Sequence, residues 1–216
     1  MFLGFAIQSN AQKTIDNQFF NQVDAFFKTY VSDGLVKYDQ LKNNAELKDL
    51  TTQIANAKVT NLDKNTIQAF YINSYNLLVI NAVAEKYPLS SVMKVNGFFD
   101  SAKRRIAGEN LTLNQIEKQK LLKTYKDARF HFVLVCGATG CPPITNFAYR
   151  PNQLENQLQQ QTNIALNNPG FIKVNNSKKS VQLSQIFDWY SSDFGGGKAA
   201  AIKFINRFRT NKISSD

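Results

Sequence analysis

The chain is poor in the residues that most readily announce a chemistry: one histidine, two cysteines and one tryptophan among 216 residues. A single histidine excludes the two-histidine metal motifs, and any histidine-dependent mechanism has to use His131. Ten glycines and five prolines exclude a collagen-like or low-complexity chain. No apolar run approaches the roughly 18 residues that would span a bilayer. Basic residues outnumber acidic ones, 26 to 16, but are scattered. Only Lys103-Arg104-Arg105 and Lys178-Lys179 are contiguous, whereas nucleic-acid binders gather such residues on one face. That scatter argues against nucleic acid as a partner.

What is present fits one domain with a core of its own. Apolar residues make up 43% of the chain. Met1 to Ile7 is a short apolar run, and Ser9-Asn10-Ala11 then places small residues where a signal peptidase reads. Residues 1–11 are accordingly read as the remnant of a signal peptide, with the mature chain exported to the periplasm or secreted. If that segment is no signal, the protein is cytoplasmic.

From residue 13 to 216 the pattern is α+β. Asp16 opens a helical run of Phe19, Phe20, Val23, Phe26, Phe27 and Tyr30. A short extended piece at 34–38 and a helix at 45–57 follow. Asp63 then begins the longest helix, apolar on most sides and stopped by Pro88, which is expected to be central and buried. Short strands near 104–107 and 110–111 turn at Gly108. Thr112 and Gln115 form a capping box for a helix to about Leu122. FHFVLVC, residues 130–136, reads as a buried strand. A helix at 151–167, a hairpin across 171–183, a short helix capped by Ser184 and a last helix at 198–209 complete the chain.

Cys136 and Cys141 either form a bridge, which export would permit, or divide into a structural and a reactive thiol. If 130–136 is a strand, Cys136 lies on the face opposite His131 and about 16 Å along it. The two glycines before Cys141 would let that residue fold back, so Cys141 is the better nucleophile and His131 its base. Alternatively, His131 is a core residue. One His and two Cys fall short of a four-ligand zinc site and lack its spacing. No metal or cofactor is expected.

AFYINSYNLLVINAV (69–83), KYP (86–88), GFF (97–99), LTLNQIE (111–117) and RFHFVLVCGATGCPPI (129–144) resemble the family catalogued as domain of unknown function 547. LSQIFDWYSSDF (183–194) is similar to that family's C-terminal signature. The family itself resembles papain-like and transglutaminase-like cysteine enzymes. That likeness implies a central helix on a small, mostly antiparallel sheet, with further helices around it. It carries over Asn73, Asn76, Glu117, Arg129, His131, Cys136 and Cys141 as site positions. Two departures stand out. Lys118 occupies a position where family members commonly carry histidine, and both thiols follow His131 in the chain instead of sitting on the central helix.

Two functions follow. One is a cysteine hydrolase or acyl-transferase acting on amide bonds: Cys141 attacks, His131 is the base, Glu117 orients the imidazole, and Asn73 or Asn76 steadies an oxyanion. Arg129 and Cys136 support that site. The other is a non-catalytic envelope binding module in which Cys136 and Cys141 are bridged. The partner in either case is a small molecule, a peptide or an envelope ligand that the sequence does not specify.

Overall fold

A computed structural model describes residues 12–137 and 141–214. The expected signal remnant, 1–11, lies outside the described residues. The N-terminal part runs β1 (Lys13–Thr14), α1 (Asn17–Tyr30), β2 (Val31–Ser32), β3 (Leu35–Val36), α2 (Ala45–Ala55), β4 (Ala57–Lys58) and α3 (Lys64–Ala84). The middle contains β5 (Arg104–Ile106), β6 (Glu109–Leu111), α4 (Leu113–Gln115), a π-helical run (Ile116–Leu122), α5 (Lys123–Tyr125) and a 3-10 segment (Ala128–Phe132). The C-terminal part is α6 (Leu154–Asn167), β7 (Ile172–Asn175), β8 (Ser180–Leu183), α7 (Ile186–Trp189) and α8 (Lys198–Phe208).

Helix starts follow their caps. The Asp16 carboxylate accepts from the amides of Gln18 and Phe19, and Asp63 does the same for Asn65 and Thr66. Thr112 and Gln115 close the capping box in both directions. Helix α3 is buried nearly all round, as its unbroken apolar surface requires. It packs on α2 and on the π-helical run. None of the helices among the described residues is long and apolar enough to cross a membrane.

The chain is one α+β domain, but its strands do not make the expected sheet. Among the described residues they form four separate two-stranded pieces: β1 with β4, parallel, and β2 with β3, β5 with β6 and β7 with β8, antiparallel. The central helix is therefore surrounded by helices rather than laid on a sheet.

Residues 130–136 are also not a strand. Asp127 accepts from the Arg129 amide and starts the 3-10 segment, in which Phe130, His131 and Phe132 are all buried. Among the described residues, 133–137 have no ladder partner. Instead, Asn76 on α3 donates from Nδ2 to the Val133 carbonyl at 3.0 Å and accepts from the Val135 amide at 3.0 Å. Its side chain does the work of a neighbouring strand.

Among the described residues, two hydrophobic clusters result. The larger gathers α1, α2, α3 and the π-helical run. The smaller joins Ala128 and Phe132 to residues of α6, β7, α7 and α8.

Candidate functional site

Every site position has a definite place. On α3, Asn73 and Asn76 lie one turn apart and are fully buried. Asn73 donates from Nδ2 to the carbonyls of Ala69 and Tyr149, both at 2.8 Å, and accepts from the Tyr149 amide at 3.0 Å. Both asparagines therefore clamp backbone, and neither presents an amide to an oxyanion. Arg129 reaches Asp127 through Nε and Nη2, and Glu155 at 2.6 Å through Nη1. These two carboxylates hold its pKa above the usual value against the opposing effect of burial. The fork ties the 3-10 segment to α6.

Cys136 and Cys141 are joined by a disulfide, with Cα atoms 6.0 Å apart. In this state Cys141 has no thiol to ionise, and the Cys141–His131 pair expected for a hydrolase is not formed. The strand argument that favoured the pair fails with the strand itself, because a 3-10 segment does not alternate its side chains.

His131 has other partners. Its side chain is 1% exposed, and Nε2 lies 2.8 Å from Asp193 Oδ2. On the other side of the ring, Nδ1 is 3.8 Å from Glu117 Oε1, too far for a hydrogen bond. The Tyr190 ring covers the imidazole at 4.1 Å, and the hydroxyls of Tyr190 and Tyr75 are near enough to Glu117 to favour its charged form. The structure thus brings Glu117 to His131, as a hydrolase would need, and leaves the cysteines in a bridge.

Burial sets the charges of this knot. Desolvation lowers the His131 pKa, with the Asp193 carboxylate pulling the other way. A neutral imidazole donates Nε2–H to Asp193 and turns the Nδ1 lone pair toward Glu117. Desolvation raises the Glu117 pKa, while the two tyrosines and Lys118 partly offset it. Asp193 is 33% exposed, so the knot connects the core with water at one end. Such an arrangement can hold a proton or pass one outward. Among the described residues, no three His, Cys, Asp or Glu side chains converge as a metal ion would require.

Residues 59–164 match the family described as "Protein of unknown function, DUF547". Over that stretch the chain belongs to this family. No curated protein and no solved structure gave a match. All seven site positions expected from the resemblance fall inside the DUF547 stretch, whereas Tyr190 and Asp193 fall outside it. Sequence reasoning missed both, together with Tyr75. Asp193 lies 62 residues from His131, and no spacing rule joins them. The WYSSDF segment, already singled out, was the available signal.

The pKa directions give a testable consequence. For His131, the unfolded state binds a proton near pH 6.5 and the fold resists it. Its stabilising contribution is complete above that pH and lost as pH falls below it. For Glu117 the sign reverses: the folded state holds the proton more tightly, so stability falls as pH rises through 4.5 toward the raised value. Glu117→Gln keeps an acceptor for the tyrosines and removes the charge. Its stability relative to wild type should be greater at about pH 8 than at about pH 4. Urea midpoints at the two pH values measure this, and an equal difference at both would contradict the assignment.

Proposed function

We propose that the protein is a non-catalytic binding module, exported to an oxidising compartment, that takes a small apolar molecule in a groove beside its disulfide. The observation that carries this reading is the Cys136–Cys141 bond. It removes both thiols from nucleophilic chemistry and fits a periplasmic or secreted setting. The buried His131, held by Asp193, is then a structural residue.

The groove supports the ligand class. Its volume is about 570 Å³, within the range of small-molecule sites, and Leu35, Tyr38, Tyr87, Leu89, Pro143 and Phe171 contribute to its walls. Leu35 is 72% exposed, an unusual position for a large apolar side chain. Tyr38 and Tyr87 stack with ring centroids 6.2 Å apart, and burial pushes the Tyr38 phenol up to about 12, so it stays neutral. The turn between β2 and β3 sits directly on the Cys-Pro-Pro segment. A Cβ on Gly34 would approach Pro143 Cβ to 2.6 Å, and the backbone there has φ +74°.

Iodoacetamide labelling of the native chain, with and without prior reduction, tests the reading. Neither cysteine should react until the bridge is reduced, and phenylnaphthylamine, a neutral dye, should fluoresce on binding to wild type but not to Leu35→Asp. Rapid labelling of Cys141 without reductant, abolished by His131→Ala, would restore the cysteine hydrolase. Dye binding unchanged by Leu35→Asp would remove the groove.

A further inference from the structure

A second concavity, of about 520 Å³, lies against the π-helical run, with Lys118, Lys123, Lys126, Asp127, Ser192 and Asp193 on its walls. We propose that it is a binding site for a phosphate-bearing small molecule, held by the three lysines. This cleft shares no wall residue with the apolar groove.

Helix geometry is the first argument. In an α-helix, residues five apart differ by about 140° around the axis and cannot share a face. Here the Lys123 amide donates to the Lys118 carbonyl, the i to i+5 bond of a π-helix, which sets the two residues one above the other. Long π-helical runs are rare, and those that persist are concentrated at functional sites. This one sends Glu117 inward to His131 while Lys118 and Lys123 reach the cleft wall. Lys126 follows at the end of α5 with φ +53°, where the helix terminates.

Charge is the second argument. Of the carboxylates on the wall, Asp127 is neutralised by the Arg129 guanidinium, while Asp193 accepts from the neutral His131 and sets one negative charge against the three lysines. Among the described residues, the ammonium groups of Lys118, Lys123 and Lys126 form no ion pair or hydrogen bond. Lys118 acts on Glu117 only as a neighbouring charge. A helix C-terminus attracts lysines by its dipole, which accounts for Lys123 and Lys126. It does not account for Lys118, more than a turn earlier.

The ligand class follows from what three ammonium groups can take. Each is a compact point charge with three donors. A phosphate dianion offers three terminal oxygens and two charges, so it can meet all three lysines at once. A single carboxylate brings two oxygens and only one charge to the same three donors. The Ser192 hydroxyl, also on the lining, adds a neutral donor, and the volume leaves room for an organic group beyond the phosphate.

Calorimetric titration of the oxidised full chain with pyrophosphate tests the proposal, with malonate at matched ionic strength as comparison. Pyrophosphate should bind, more weakly as salt rises. Lys118→Gln and Lys123→Gln should each weaken it about tenfold, whereas Lys173→Gln on the β7–β8 hairpin should not. These are exposed positions, so circular dichroism should show the variants folded. Absence of binding, a Lys118→Gln variant equal to wild type, or malonate binding as tightly as pyrophosphate would overturn the assignment. None of these outcomes depends on whether the apolar groove binds its dye.

Discussion

Asn76→Ala is expected to cost the fold about 3–5 kcal/mol, far more than removing one exposed amide, because it orphans two buried backbone groups at about 1–3 kcal/mol each. Asn76 is the partner of both the Val133 carbonyl and the Val135 amide. Neither group has a strand beside it, and the surrounding chain is buried. Water could reach them only if the 133–135 segment lifted from α3. A leucine of similar size would not help, since the loss lies in the backbone groups and not in the volume. Asn76→Asp should also fail: it keeps an acceptor for Val135 but loses the donor to Val133 and buries a charge. Denaturant midpoints against Lys173→Ala as a surface control check this. A shift no larger than the control's would mean that the clamp contributes nothing, and an oxyanion role for Asn76 would regain interest.

That clamp also explains why the sequence misled over 130–136. A short apolar run of β-prone residues reads as a buried strand, but periodicity alone does not separate a strand from a buried turn. The deciding fact, an asparagine side chain 57 residues away that meets the backbone's needs, has no local signature. Where local chemistry suffices, the reading holds. The caps at Asp16, Asp63 and Thr112 start helices, Gly108 turns β5 into β6, and the second hairpin pairs Ile172 with Leu183. Glu117 and His131 were legible as neighbours through the family's motifs. Asp193, which completes the knot, was not, because it comes from the C-terminal segment packed against the family stretch. The cysteines were legible as a choice between bridge and reactive thiol, and spacing could not make that choice.

Phe132 is the ring through which the 3-10 segment packs on that C-terminal segment. Its ring lies 6.1–6.3 Å from those of Phe171, Phe187, Phe194 and Phe204, and it stacks on Phe204 at 15°. Within the smaller cluster, Phe132 and Ala128 are contributed by the stretch ahead of α6, while the remaining residues come from 165 onward. Phe132→Ala should cost about 3–5 kcal/mol by leaving a cavity among rings too rigid to fill it. The loss should fall unevenly. Helix α3 keeps its own cluster of α1, α2 and the π-helical run, so its amides should stay protected from hydrogen exchange. The amides of α8 should exchange much faster, because local opening no longer requires global unfolding. Leu77→Ala, a cavity of about 2–5 kcal/mol in the larger cluster, is the contrasting case and should lower protection in α3 itself. Equal loss of protection in α3 and α8 for Phe132→Ala would show a single cooperative core. If the opening is selective, it also releases Asp193 from His131 and Ser192 from the lysine cleft, since both residues immediately precede Phe194. The same variant should then bind pyrophosphate more weakly while leaving the apolar groove's response to dye largely unchanged, because most of that groove's walls belong to the larger cluster's side of the molecule.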